Sequence, residues 1–159
     1  MFLNKIKLFL VISICLIFFF LTYYDVKSSE LKIIDGDTIH LNGEKIRFSG
    51  IDTPEIKQTC NKNNEVIKCG IQAKELLVKK IGNKKINCVR EGKDQYKRTL
   101  AECFVNDLSL SRYLVKSGYA FAYRKYSKKF VSQEIFAKKE KLGLWSGTFM
   151  MPWDYRKNN

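Results

Sequence analysis

The chain has 159 residues and a mass of 18.6 kDa, and its 29 lysines and arginines against 16 aspartates and glutamates give a formal net charge of +13. This length predicts one domain of ordinary size and argues against a multidomain enzyme. Hydrophobic residues make up 45% of the chain, which argues against intrinsic disorder. The positive excess indicates an anionic partner, for which nucleic acid, an anionic membrane and an acidic polymer are the candidates.

A hydrophobic segment precedes the domain. Residues 8–24 contain no charged side chain, and Lys5 and Lys7 lie before them. The segment is at the lower limit of a bilayer span, and no small-x-small cleavage motif follows it. We therefore expect residues 1–25 to be a signal peptide or an N-terminal signal anchor; a buried core helix is the less favoured alternative, because the segment has no polar face. The two lysines favour a cytoplasmic N-terminus. Residues 26–159 would then lie on the periplasmic or extracellular side, anchored to the inner membrane if the segment is not cleaved.

The domain keeps the basic charge and four of the five cysteines. Residues 1–25 carry two lysines and one aspartate, so the rest of the chain retains a formal charge of +12. An even number of cysteines in an exported chain favours disulfides. Zinc is the alternative, but the cysteine spacings contain no C-x-x-C motif and His40 is the chain's single histidine.

Short β-prone runs and helical patterns alternate along the domain. The first three runs, at 31–34, 38–41 and 45–51, are separated by Asp-Gly and Asn-Gly turn signals and predict a β-meander. Apolar positions at helical spacing predict a helix over 70–81. The remaining predicted elements are two strands at 85–90 and 99–105 and two helices at 109–117 and 132–142.

Five strands with one helix between the third and the fourth indicate an α+β fold. We predict a five-stranded Greek-key β-barrel of the oligonucleotide-binding (OB) type with three helices packed outside it. A hairpin between the last two strands places Cys88 directly opposite Cys103. Cys60 and Cys69 remain, at the two ends of a polar loop before the first helix. The predicted disulfides are therefore Cys60–Cys69 and Cys88–Cys103, with free buried thiols as the alternative.

Carboxylates and arginines concentrate in a few short segments. Asp-Gly-Asp-Thr occupies 35–38, Asp-Thr-Pro-Glu occupies 52–55, and Asp-Gln-Tyr-Lys-Arg occupies 94–98. Taken singly, each is typical of a turn or a solvated loop. Arg47 alternates with the apolar residues on either side of it and therefore points off the core face of its strand. An arginine between two carboxylate loops indicates a site for an anion together with a hard cation.

Four motifs occur along the domain in a fixed order: I-D-G-D-T, then R-x-x-G-I-D-T-P-E, then D-x-Y-x-R ahead of L-A, and finally K-x-E-K-L-G-L-W-S. In this combination, from residue 31 to residue 147, the chain resembles the staphylococcal-nuclease-like, or thermonuclease, family. The resemblance implies an OB-type barrel with three helices. It also implies calcium-dependent cleavage of the phosphodiester bonds of DNA and RNA. We therefore predict a calcium-dependent endonuclease with little sequence specificity. Its predicted substrates are single-stranded DNA and RNA, and the sequence indicates no protein partner.

The resemblance also implies roles for eight positions in this sequence. Two carboxylates and one backbone carbonyl would bind Ca²⁺, two arginines would bind the scissile phosphate, one glutamate would act as the acid–base residue, and two tyrosines would contact the nucleotide. These are the calcium-binding Asp37, Asp52 and Thr53, the catalytic Arg47, Arg98 and Glu55, and the nucleotide-contacting Tyr96 and Tyr126.

These residue types suit the chemistry of phosphodiester hydrolysis. Attack of water builds negative charge on the phosphoryl oxygens, and fixed cations near them lower the barrier. A guanidinium binds two oxygens at once and stays protonated at any working pH. Carboxylate and carbonyl ligands favour Ca²⁺ or Mg²⁺ over a soft metal.

The chain departs from the family pattern in the third motif. Lys97 stands where the family commonly has glycine, which leaves open whether the loop carrying Arg98 keeps its backbone, and Gln95 replaces a basic residue of some members. A non-catalytic OB-fold module that binds nucleic acid is the alternative function, because a fold does not determine an activity. A cationic membrane-surface protein is less favoured, because the helical faces are needed for the protein's own core.

Overall fold

The computed structural model describes residues 30–159, and the segment predicted as a signal peptide or anchor lies outside this range. Each of the five strands predicted from the sequence is present, with shifts of up to three residues at its ends, and the third is divided in two. The strands in the described range are β1 Leu31–Ile33, β2 Thr38–Leu41, β3 Glu44–Phe48, β4 Ile51–Asp52, β5 Cys60–Lys62, β6 Glu65–Ile67, β7 Asn87–Lys93, β8 Thr99–Val105, β9 Leu108–Ser109 and β10 Phe121–Ala122.

The helices follow the predicted order, with one addition at the C-terminal end. They are α1 Cys69–Ile81, α2 Leu110–Lys116, α3 Val131–Lys139 and α4 Pro152–Asn158, with a short 3-10 helix at Gly143–Ser146. Where the sequence predicts three helices, the described part of the chain therefore contains four. None of the helices between residues 30 and 159 is long and apolar enough to cross a membrane.

The main sheet has the strand order β1-β2-β3-β8-β7. Its neighbours are antiparallel except β3 and β8, which are parallel. Counting these five strands along the chain gives the order 1-2-3-5-4 with a helix between the third and the fourth. The α+β, OB-type architecture is thus confirmed, although five further short strands accompany the predicted five.

The core lies between this sheet and the first two helices. Ile46 and Phe48 alternate along β3 and are at most 1% exposed, as the period of a strand with one buried face requires. Leu77 and Ile81 lie one turn apart on α1 and are equally buried. Each such side chain contributes roughly 1.5–3 kcal/mol of burial free energy.

The third predicted strand, 45–51, is interrupted where it leaves the sheet. Gly50 has φ +72°, a left-handed conformation that a glycine adopts without steric cost. The chain turns there, and β4 pairs with β10 instead of extending β3. This turn carries Asp52 away from the main sheet and toward the carboxylate loop at 35–38.

A second apolar cluster holds the C-terminal segment against the barrel. Phe121 on β10 packs its ring edge-on to Trp145 and Trp153, with centroids 5.4 and 6.4 Å away. Phe149 contacts the same ring at 5.0 Å. Trp145 therefore has a packing role in this cluster. The hairpin β5–β6 and helix α4 adjoin this cluster, and neither is predicted from the sequence.

Both predicted disulfides are present. Cys88 and Cys103 face each other across β7 and β8, in the register that the hairpin prediction requires. Cys60 on β5 is bonded to Cys69 at the start of α1. This second bond closes the polar loop over a separation of nine residues.

Replacing Cys88 and Cys103 together by serine is expected to lower the free energy of unfolding by about 2–4 kcal/mol, because the bond restricts the unfolded chain. Urea denaturation of the full-length chain measures the change, and Cys15→Ser serves as the control because Cys15 lies outside the described domain. Non-reducing peptide mapping that finds four alkylatable thiols at positions 60, 69, 88 and 103 would contradict the disulfide assignment.

Candidate functional site

One cavity gathers the residues that the motifs single out. Its volume is about 730 Å³, and it lies between the strand ends of the barrel, the loop joining β7 to β8, and helix α4. Loops from four separate segments of the sequence line it together. All eight residues with a predicted role are among its lining residues: Asp37, Arg47, Asp52, Thr53, Glu55, Tyr96, Arg98 and Tyr126.

Arg47 is the buried charge at the centre of this site. Its Nη2 donates to Asp52 Oδ1 at 2.7 Å and to the carbonyl of Ile51 at 3.2 Å, and its Nη1 contacts the carboxylate of Asp37. The residue is 9% exposed. Burial opposes its charge, but the neighbouring carboxylates outweigh this effect and the pKa of the guanidinium is raised. Arg47 therefore stays charged, and each of its η nitrogens contacts a carboxylate.

Asp37 joins the two carboxylate loops. Its Oδ2 accepts a hydrogen bond from the backbone N–H of Thr53 at 2.8 Å. Its own N–H donates to Asp35 Oδ1 at 3.0 Å. Burial, and next the charge of Asp37, raise the pKa of Asp35 to about 6. Asp35, for which no role is predicted from the sequence, is thus part of the same acidic centre.

Asp52 is the most deeply buried acid of the site, with a side chain 1% exposed. Burial raises its pKa, against the effect of hydrogen bonds from Arg156. Arg156 Nη2 donates to Asp52 Oδ2 at 2.8 Å, and Nη1 donates to Asp52 Oδ1 at 3.2 Å. The same Nη1 donates to Glu55 Oε1 at 2.7 Å. A second guanidinium, from α4, therefore bridges the two acids.

The sequence motifs miss Arg156 because it lies beyond the last of them. Its helix nevertheless carries local signals. Pro152 occupies the first turn, where a missing N–H costs nothing, and Asp154 follows it. Arg156 and Lys157 lie in the last turn, where cations interact favourably with the helix dipole. These signals predict a helix, but not what its arginine contacts.

The loop that carries Glu55 is held from two sides. A Cβ added to Gly70, at the start of α1, would lie 1.8 Å from the carbonyl oxygen of Glu55, so the helix approaches as close as a glycine allows. On the other side, the buried amide of Gln58 accepts from the N–H of Glu55 at 3.2 Å and donates to the carbonyl of Met150 at 2.7 Å. Gln58 thus connects the Glu55 loop to the segment before α4.

A carboxylate organises the loop that carries Arg98. Asp94 Oδ1 accepts from the N–H groups of Tyr96 and Arg98, both at 2.9 Å, and Oδ2 accepts from Arg98 Nε at 2.7 Å. Burial acts to raise the pKa of Asp94, but these bonds outweigh it and the pKa is lowered. Lys97 has φ +62°. The left-handed backbone that favours glycine is therefore kept although lysine occupies the position.

Two exposed tyrosines stand at the rim of the cavity. Tyr96 is 70% exposed and Tyr126 is 67% exposed. The guanidinium of Arg98 lies 5.5 Å from the ring centroid of Tyr96, within cation–π distance. The ring of Tyr126 packs edge-on to Tyr123, with the centroids 4.9 Å apart. Both exposed rings offer a face on which a nucleic-acid base can stack.

The donor set suits a hard cation. Between residues 30 and 159, no three histidine, cysteine, aspartate or glutamate side chains form a metal-binding cluster. Instead, guanidinium groups lie between the acids: Arg47 between Asp37 and Asp52, and Arg156 between Asp52 and Glu55. The acids are thus placed so that positively charged groups bind between them. Because the donors are carboxylate oxygens, they fit Ca²⁺ or Mg²⁺.

The arrangement of acids and arginines on an OB-type barrel agrees with the protein family that the sequence matches. Residues 45–147 match the model described as "Staphylococcal nuclease homologue", and the chain belongs to this family. Thermonuclease from Staphylococcus hyicus is 32% identical over 127 residues, which cover 73% of each chain. An "Uncharacterized endonuclease" from Haemophilus influenzae is 31% identical over 123 residues, covering 73% of this chain and 64% of the relative.

Plant relatives are much longer than this chain. A "Probable staphylococcal-like nuclease" from Oryza sativa is 32% identical over 117 residues, or 72% of this chain. The matched region makes up 29% of the plant protein, so the chain spans less than a third of that relative's length.

Replacing Lys97 by glycine is expected to raise the free energy of unfolding. A left-handed conformation costs a residue with a Cβ about 1–2 kcal/mol, whereas glycine loses about 0.5–1 kcal/mol of additional backbone entropy, which leaves a net gain of roughly 0.5–1 kcal/mol. Urea denaturation measures it. Lys93→Gly, the same substitution within strand β7, is the matched control and should lower stability. A loss of stability in Lys97→Gly would contradict this account of the loop.

Proposed function

We propose that the chain is a calcium-dependent endonuclease that hydrolyses phosphodiester bonds of DNA and RNA with little sequence specificity. The observation that carries the proposal is the convergence of Arg47, Asp37 and Asp52 at the base of a cavity that Arg98 and Glu55 also line. Membership of the staphylococcal nuclease homologue family supports it, as does the similarity to relatives named as a thermonuclease and an endonuclease.

Arg47 and Arg98 are the proposed ligands of the scissile phosphate. A guanidinium can donate two hydrogen bonds to a phosphoryl group as negative charge grows on it. Arg47 is held by its carboxylate contacts, and Arg98 is held through Nε by Asp94. Both donors are therefore positioned before the substrate binds, so little reorganisation is needed in the transition state.

Glu55 is the proposed acid–base residue. Its side chain is 39% exposed and faces the cavity, where a water molecule can reach it. As a carboxylate it can orient that water and accept its proton. Asp37, Asp52 and the carbonyl of Thr53 would hold Ca²⁺. When bound, the ion would supply positive charge. This charge would stabilise the negative charge of the phosphorane-like transition state more than it stabilises the ground state.

The substrate is proposed to be single-stranded nucleic acid. The formal charge of +12 on residues 26–159 attracts a polyanion without regard to sequence. Tyr96 and Tyr126 provide base-stacking surfaces that tolerate any base. The site of action is proposed to be outside the cytoplasm, on the periplasmic or extracellular face. This location rests on the N-terminal hydrophobic segment alone, which would attach the protein to the inner membrane if it is not cleaved.

Incubating the full-length chain, purified in non-ionic detergent, with single-stranded DNA and with RNA tests the proposal. Fragments are expected with Ca²⁺ and intact polymers with chelator. The alternative, a non-catalytic OB-fold module that binds nucleic acid, predicts bound but intact polymer in both conditions. That outcome would overturn the proposed activity.

Glu55→Gln is expected to lower turnover by about 10²- to 10⁴-fold, the usual contribution of a general base, with little change in calcium affinity.

Asp37→Asn should instead weaken calcium binding, and its activity should recover partly at high calcium because a ligand has been removed. Single-turnover cleavage and calcium titration measure both effects.

Glu65→Gln, on the exposed strand β6, is the matched control and should cleave like the wild type. A folded, calcium-binding Glu55→Gln protein with wild-type turnover would remove Glu55 from the mechanism.

A further inference from the structure

Arg156 is a charged group of the site that the proposed function leaves unexplained. It comes from helix α4, outside the segment 45–147 that matches the family. Its guanidinium nevertheless makes three hydrogen bonds of 2.7–3.2 Å to Asp52 and Glu55. These two residues are the proposed calcium ligand and the proposed acid–base residue. A contact so placed has to be broken or shared when a cation enters.

Arg156 and Arg47 together occupy the carboxylate of Asp52. Oδ1 accepts from both arginines, at 2.7 Å from Arg47 and 3.2 Å from Arg156, and Oδ2 accepts from Arg156 at 2.8 Å. A divalent cation that binds the same carboxylate would lie next to the full positive charge of Arg156, and like charges at contact distance repel each other. Arg156 and a bound metal therefore compete for Asp52.

The charges of the acidic centre favour an exchange of this kind. The acids of this centre that contact Arg47 or Arg156 are Asp37, Asp52 and Glu55, which carry three formal negative charges, and Arg47 neutralises one of them. Of the two charges that remain, Arg156 neutralises one, whereas a divalent cation in its place would neutralise both. In the absence of metal, Arg156 reduces the repulsion between buried Asp52 and the neighbouring carboxylates, which would otherwise destabilise the fold.

The helix that carries Arg156 is attached independently of this contact. Trp153 stacks on Tyr123 with the centroids 5.5 Å apart and the rings within 2° of parallel. The carbonyl of Met150, just before the helix, accepts from buried Gln58. Arg156 itself is 39% exposed and lies in the last turn. Its long side chain can therefore leave the carboxylates while α4 stays in place.

We propose that Arg156 is the site's own exchangeable counter-cation: it occupies the position between Asp52 and Glu55 in the metal-free protein, and a divalent cation displaces it. The inference rests on the proposed metal dependence. The contact that Arg156 makes with the acids has two linked consequences. Because the contact exists in the metal-free state alone, it stabilises that state, and it weakens metal binding by the same factor. The calcium affinity of the site is therefore lower than it would be without the contact from Arg156.

Calcium titration calorimetry on the metal-stripped full-length chain tests the exchange. Arg156→Gln should bind Ca²⁺ about 10-fold more tightly than the wild type, the scale of one charge-assisted hydrogen-bonded contact. Lys157→Gln is the matched control, since Lys157 is the next cation on α4 and pairs with Asp154 instead of the site. Its affinity should stay within twofold of the wild type. Arg156→Lys, which keeps the charge but cannot bridge both acids, should fall between the wild type and Arg156→Gln.

A thermal melt gives a second, independent measurement. Metal-free Arg156→Gln should melt below the wild type, and the difference should shrink as calcium saturates both proteins. A purely structural role for the arginine predicts the same loss of stability with and without calcium.

The outcomes separate this inference from the function on which it rests. Equal or weaker calcium binding by Arg156→Gln would overturn the exchange while leaving a calcium site intact. If Arg156→Gln does not fold, wild-type or weaker affinity in Arg156→Lys would overturn it equally. Absence of calcium binding in the wild type and both variants would instead overturn the proposed metal dependence.

Discussion

The buried guanidinium of Arg47 imposes the main constraint on this structure. A guanidinium that is 9% exposed is tolerated when carboxylates are held against it. Removing Asp37 or Asp52 would leave part of this buried charge uncompensated. Asp37 reaches Arg47 from the start of β2, and Asp52 reaches it from β4. The turn at Gly50 is needed for the second contact, because a strand continuing straight would carry Asp52 away. The pairing of charges thus determines how the strand ends are arranged, and the strand ends form the cavity.

The C-terminal segment completes the site by apolar packing. The cluster around Phe121 holds α4 against β10, and β10 pairs with β4, which carries Asp52. Burial of aromatic rings therefore places Arg156 opposite two acids that lie about a hundred residues earlier in the chain, 101 for Glu55 and 104 for Asp52. An OB-type barrel leaves its strand ends open at this position, and the helix covers part of the opening with a cation.

Charge compensation also relates stability to function in this site. A centre of buried acids is suited to hold a cation, and for the same reason it is unfavourable when no cation is present. Two guanidiniums resolve this conflict in different ways. Arg47 is buried and held on two sides, which suits a permanent member of the site, whereas Arg156 is more exposed and belongs to a peripheral helix, which suits a replaceable one.

The sequence alone determined the elements that depend on neighbouring residues. Alternation in the strands, helical spacing in α1 and the hairpin that pairs Cys88 with Cys103 are local patterns, and the family resemblance named eight residues that line one cavity. The tertiary structure decided what depends on distant contacts: the pairing of β4 with β10, the position of α4, and the bridge that Arg156 forms. The physical reason is that a solvated arginine and a buried ion-pair partner look the same in the sequence, since burial is a property of the whole fold.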